Sequence, residues 1–99
     1  MKLRWHVEAA AELDEAALYY GSIDDDLGER FVAAAEVALT EIKANPTLTR
    51  RFDGQARKVR FMRFPYAVIY WIDADTLHII AIMHLHRAPR YWRNRISDA

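Results

Sequence analysis

The residues with the most chemical potential stand near the C-terminus of this 99-residue chain. Arg87, Arg90, Arg93 and Arg95 are interleaved with Tyr91 and Trp92. Guanidinium groups grip phosphates and aromatic rings stack on bases. The same residue types concentrate at the centres of protein interfaces. A blander role is equally open, in which Tyr91 and Trp92 anchor the tail on the core. Just upstream, His84 and His86 flank Leu85, and strict alternation along a strand places both on one face with His78. A His-x-His pair suits zinc, but no matching third ligand follows, so neither a metal nor a cofactor is expected. A histidine hydrogen-bonded at a sheet end fits better, and general acid–base work is open to a group that titrates near neutrality. Asp24, Asp25 and Asp26 are adjacent, so on a helix they point in different directions; they suit a helix start rather than a metal site. There is no glycine-rich phosphate loop, nucleophile elbow or zinc signature. The absence of cysteine excludes disulfides and thiolate chemistry.

These groups need a frame, and residues 57–87 supply it. Val68 to Ile72 and Leu77 to Leu85 form two short, nearly continuous apolar runs rich in β-branched residues, as in strands buried on both faces. Phe64-Pro65-Tyr66 and residues 73–76 punctuate three strands. Leu3, Trp5 and Val7 alternate with polar residues, which predicts an edge strand. Glu8 to Tyr20 takes helical spacing without a good N-cap, and Gly21 is a plausible stop. A second helix starts at Ser22 to Asp26, capped by Ser22 or Asp24, and ends at Asn45-Pro46. Its apolar face runs through Leu27, Phe31, Ala34, Ala35, Ala38, Leu39 and Ile42. Residues 47–55 read as a loop with a turn at Asp53-Gly54. The segment from Arg87 to Ile96 is too short for a helix unless it docks.

The resulting fold class is α+β, in one domain over residues 1–99. It comprises an N-terminal edge strand, an antiparallel helical hairpin packed on a mainly antiparallel four-stranded sheet, and a short C-terminal helical tail. Trp5, Leu13, Phe31, Leu39, Val68, Tyr70, Ile80 and Ile82 are expected in the core. No apolar run reaches the roughly 18 residues of a membrane span. The N-terminus lacks an apolar signal region, so a cytoplasmic location is expected. Net charge is zero, yet charge is segregated: residues 8–41 carry ten carboxylates and one base, whereas residues 43–95 carry eleven bases and three acids. Such blocks produce a polar field, or simply decorate solvated faces.

Taken together, these pieces resemble the RelE/ParE superfamily of type II toxin–antitoxin toxins, in particular its ParE (plasmid stabilisation) branch. The resemblance is carried by residues 9–20 (AAAELDEAALYY), Leu27-Gly28 with Arg30-Phe31, Asn45-Pro46, Phe64-Pro65-Tyr66 with Val68-Ile69-Tyr70, and His84 with Arg87, Pro89, Tyr91 and Trp92. It covers nearly the whole chain. It implies a toxin held inactive in a heteromeric complex with a cognate antitoxin, which inhibits DNA gyrase by binding. The alternative it implies is an endoribonuclease that cuts mRNA on the ribosome, with Arg87 as the strand-end arginine and His84 or Tyr91 in catalysis. No glutamate follows Lys43, so a carboxylate base is missing from that half of the chain. A third reading is a non-toxic binding module. Target contact is assigned to Arg87, Arg90, Tyr91, Trp92, Arg93 and Arg95. Antitoxin contact is assigned to the acidic hairpin at Glu12 and Glu36.

Overall fold

A computed structural model describes residues 1–98. The order is β1 (Lys2–Trp5), α1 (Val7–Ile23), α2 (Asp25–Ala44), β2 (Arg51–Asp53), β3 (Ala56–Arg60), β4 (Tyr66–Asp73), β5 (Thr76–His84) and a 3₁₀ segment (Arg93–Asp98). The strands form one sheet in the order β1-β5-β4-β3-β2. β1 runs parallel to β5, and the other three ladders are antiparallel. The α+β class and the helical hairpin on a mainly antiparallel sheet are as expected, but the sheet has five strands. The additional one, β2, lies within the expected loop, where the Asp53-Gly54 turn folds three residues back on β3. Gly54 takes φ +58°, which a glycine adopts without strain. Among the described residues no helix is long and apolar enough to cross a membrane.

Both faces of the sheet are covered. The helical hairpin packs on one face over Phe61, Val68, Tyr70, Leu77, Ile79 and Ile82. On the other face Trp92 packs with Ala56, Ala67, Ile69, Ile80, Ala81 and Met83. This explains why the β4 and β5 runs are apolar at nearly every position. Of the expected core, Phe31, Val68, Tyr70, Ile80 and Ile82 are buried. Trp5, Leu13 and Leu39 are partly buried against it.

A bulge corrects the expected placement of the histidines. Opposite β4, Ile69 pairs with Ala81 and Tyr70 with Ile79, so Ile80 is an extra residue in β5. The parity of the strand changes there. His78 consequently lies on the tail side of the sheet beside Trp71, whereas His84 lies on the helical side against Tyr66.

α1 extends past Gly21 to Ile23, because nothing breaks the helix before the extended residue Asp24. Asp24 then caps α2 by accepting a hydrogen bond from the Asp26 N–H at 2.8 Å. At the other end of α1, His6 is the N-cap that the sequence did not disclose; its Nδ1 accepts from the Glu8 N–H at 3.1 Å. Gly21 lies inside α1 and does not end it, and the glycine that the helix crossing requires is Gly28. A Cβ on Gly28 would lie 2.8 Å from the Gly21 Cα, whereas a Cβ on Gly21 meets nothing within 4 Å. Gly28→Ala is therefore expected to cost about 1–3 kcal/mol through overpacking. Gly21→Ala should gain about 0.5–1 kcal/mol of helix propensity. Chemical denaturation of the two variants checks the opposite signs.

Candidate functional site

The site is built around Glu12, on α1 at the margin of its buried stripe. Its Oε1 accepts from the backbone N–H of Ile82 at 3.0 Å and from Arg95 Nη1 at 2.9 Å. Its Oε2 accepts from Arg95 Nη2 at 3.1 Å and from Arg87 Nη1 at 3.3 Å. Arg95 Nη1 also donates to the Ile80 carbonyl at 3.0 Å. The reason for this cluster lies in the sheet. β1 ends at Trp5, and His6 makes the last backbone bond to β5, at the Ile79 carbonyl. Beyond that point β5 has no strand on its β1 side, yet Ile80 and Ile82 are buried and their backbone groups on that side need partners. The Glu12–Arg95 pair supplies them, taking the place that a further strand would fill. Burial acts to lower the Arg95 pKa, but the hydrogen bond and charge of Glu12 outweigh it, so the net shift is upward and the guanidinium stays charged.

Asp53 in β2 is the second anchor. It accepts from Arg93 Nη2 at 2.7 Å and is paired with Arg90 Nε at 3.1 Å. The hydrogen bond from Arg93, together with the charges of Arg93 and Arg90, holds the Asp53 carboxyl below its ordinary pKa against the effect of desolvation. The sign of the linkage follows: this support is present above the ordinary carboxylate pKa and is lost as pH falls through the lowered value. Trp92 lies between the two anchors with no exposed surface, its ring edge-on to Phe52 at 5.8 Å. The Arg87 guanidinium sits 3.7 Å from the centre of the Tyr91 ring. Burial, and secondarily the neighbouring Glu12, pushes the Tyr91 hydroxyl far above its usual pKa, so it stays protonated.

The assignments from sequence are thereby divided. Arg87, Arg90 and Arg93 point outward, with side chains 53%, 65% and 58% exposed; Asp53 brings Arg90 and Arg93 together, whereas Arg87 is held separately by Glu12. Trp92 and Arg95 are buried and Tyr91 is half-buried, so these three hold the tail rather than present a contact surface. Glu12, assigned to antitoxin contact, has a side chain that is 12% exposed and engaged with the tail in the free protein. Glu36 is exposed, in a shallow groove between the helices with Asp25 and Glu29. His84 Nδ1 accepts from the His86 N–H at 3.1 Å. His84 lines a small cleft of about 170 Å³ with Glu12, Glu15, Tyr66 and Arg87. Among the described residues no three His, Asp or Glu side chains converge on one metal position. Asp53 was missed as a site residue; its signal was that it is the only acid between Lys43 and Asp73.

Comparison with known proteins agrees with this fold. The family model described as the ParE toxin of the type II toxin–antitoxin system parDE matches residues 3–89. A curated protein of Sinorhizobium fredii named "Putative toxin Y4kP" is 29% identical over 89 residues, covering 87% of this chain and 90% of that protein. A solved structure titled "Chromosomal ParDE TA system from P. aeruginosa" superposes with a TM-score of 0.66 at 20% identity, covering 87% of this chain and 97% of that one.

Proposed function

This chain belongs to the family of ParE toxins of type II toxin–antitoxin systems, and from that premise we propose that it inhibits DNA gyrase by binding and is neutralised by a cognate antitoxin. The observation that carries the binding reading is the state of the tail. Arg87, Arg90 and Arg93 are fixed by carboxylates on the body of the domain and point outward. Held in this way, they form a pre-ordered cationic surface that loses little side-chain entropy on contact. Tyr91, held protonated, is no general base, and only Nε2 of His84 is left to exchange a proton because its Nδ1 accepts from the His86 N–H. Induced expression should arrest growth of a bacterial host, and co-expression of the cognate antitoxin should restore it. Growth that is unaffected by the toxin alone would count against the proposal.

For the antitoxin, the favoured surface is the apolar groove of about 350 Å³ between α2 and the β3–β4 connection. Leu27, Ala34, Val37, Met62 and Phe64 line it beside Arg30 and Arg63, with Val37 53% and Met62 72% exposed. An apolar antitoxin segment laid there would place basic flanking residues near exposed Glu36. Val37→Glu is expected to weaken antitoxin binding more than tenfold while leaving the thermal midpoint of the free toxin within about 2 °C, since Val37 is exposed. Calorimetric titration of the two purified proteins checks it.

One observation favours the second reading, ribosome-dependent cleavage of mRNA. His84, Arg87, Glu12 and Glu15 share a cleft, so the glutamate absent after Lys43 is supplied there by α1. There Arg87 would stabilise a phosphate in the transition state while His84 moves a proton.

A further inference from the structure

The fold sorts the segregated charge of the sequence into two layers. Residues 8–41, which form almost all of the helical hairpin, hold ten carboxylates. The opposite face of the sheet is cationic. Lys2 and Arg4 in β1 share that face with His78, since Arg4 is the Cα partner of His78. Lys58 and Arg60 in β3 share it too, because they pair with Ile69 and Ala67, two residues packed under Trp92. With strand order β1-β5-β4-β3, the two cationic pairs stand three strand spacings apart, about 14 Å, on either side of the docked tail. Lys2, Arg4 and Arg60 are exposed and engage no carboxylate among the described residues; Lys58 lies over the Phe52 ring at 4.7 Å. The carboxylates bordering this face are Asp53, matched by Arg90 and Arg93, Glu8 and Glu12, matched by Arg95, and Asp73 and Asp75 at the β4–β5 turn. At the β1 side a concave site of about 250 Å³ is lined by Arg4, His6, His78 and Arg95. His78 there is 8% exposed and stacks on Trp71 at 4.9 Å.

We propose that this face binds the phosphodiester backbone of DNA, with one phosphate seated in the Arg4–His78 site and others against Lys2, Lys58 and Arg60. The two rows of cations lie a groove's width apart, on the order of the 12 Å of a major groove, so they can meet phosphates on both of its sides. The contact reads no sequence, because its groups address the backbone alone. The acidic hairpin on the far side orients the domain, turning the sheet face toward the polyanion. This binding does not depend on the gyrase reading, and it is measured without gyrase present.

The test is fluorescence anisotropy of a labelled DNA duplex of arbitrary sequence, titrated with the intact protein over a range of salt. Four neutralised phosphates give a slope of log K against log salt of about −3.6. Arg4→Ala should reduce the slope by about one and Lys58→Ala/Arg60→Ala by about two, each weakening binding at low salt about tenfold or more. Arg30→Ala, on the helical layer, should change neither. No binding at low salt would overturn the proposal, as would binding indifferent to the Arg4 and Lys58/Arg60 substitutions. Equal affinity for polyglutamate would assign the face to an acidic protein and overturn it too. Binding of inorganic phosphate at His78, followed by NMR, without any binding of DNA would reduce the site to a small-anion pocket and have the same consequence.

Discussion

Glu12→Ala is expected to cost the fold about 3–5 kcal/mol, the range for removing one partner of a buried ion pair. In a domain this small, that should lower the thermal midpoint on the order of 15 °C or more. The Arg95 and Glu12 side chains are 6% and 12% exposed, so solvent cannot replace the lost carboxylate. The truncation also strips the Ile82 N–H of its acceptor. The contact to Arg87 contributes little to this figure, since that side chain is 53% exposed and its pair is screened. A double variant, Glu12→Leu with Arg95→Met, separates the terms. It removes the uncompensated charge but leaves the Ile82 N–H and the Ile80 carbonyl without partners, about 1–3 kcal/mol for each such group. It should therefore recover part of the loss and not all of it. Urea denaturation of the three proteins measures these differences. A loss below about 1 kcal/mol in the single variant would show that the tail does not depend on this carboxylate.

Phe31→Ala is expected to cost a similar 3–5 kcal/mol, for a different reason. Phe31 has no exposed surface and lies where α2 meets the sheet. Its ring is surrounded by Tyr20 at 5.1 Å, Phe61 at 5.3 Å, Phe64 at 5.2 Å and Tyr66 at 5.1 Å between centroids. These neighbours belong to α1, α2's sheet contacts and the β3–β4 connection, which cannot all collapse together into the vacated volume. Phe31→Leu fills most of that space and should cost about half as much or less. Calorimetry of both variants checks the ranking, and an alanine cost below 1 kcal/mol would mean that the helix face is misplaced.

What was legible in the sequence followed its periodicities. The stripe of α2 was readable because Phe31, Ala35, Ala38 and Ile42 recur at helical spacing. The β4 and β5 strands were readable as short apolar runs. Three features were hidden because they depend on partners distant in the chain. The bulge at Ile80 leaves no local signal, so alternation assigned His78 and His84 to one face when they occupy two. Gly21 looked like a stop, whereas the glycine the hairpin requires is Gly28, whose close approach to Gly21 exists only once the helices cross. The role of Glu12 is fixed by where β1 ends relative to β5, and Ile82 is 70 residues away. For the tail, aromatic and arginine content alone could not separate anchoring from display. Packing divides them: Trp92 and Arg95 anchor, while Arg87, Arg90 and Arg93 are displayed.

The most direct measurement of toxin action is supercoiling of relaxed plasmid by purified DNA gyrase, with the purified protein titrated in. Inhibition is expected to rise with toxin concentration and to be relieved by an equimolar amount of antitoxin. Arg87→Gln with Arg90→Gln should lose at least tenfold in potency while far-UV circular dichroism stays unchanged, because both side chains are more than half exposed. Gyrase that works at full rate in the presence of the protein, together with site-specific cutting of mRNA on translating ribosomes, would contradict the binding reading and assign the Arg87–His84 cleft to nuclease chemistry.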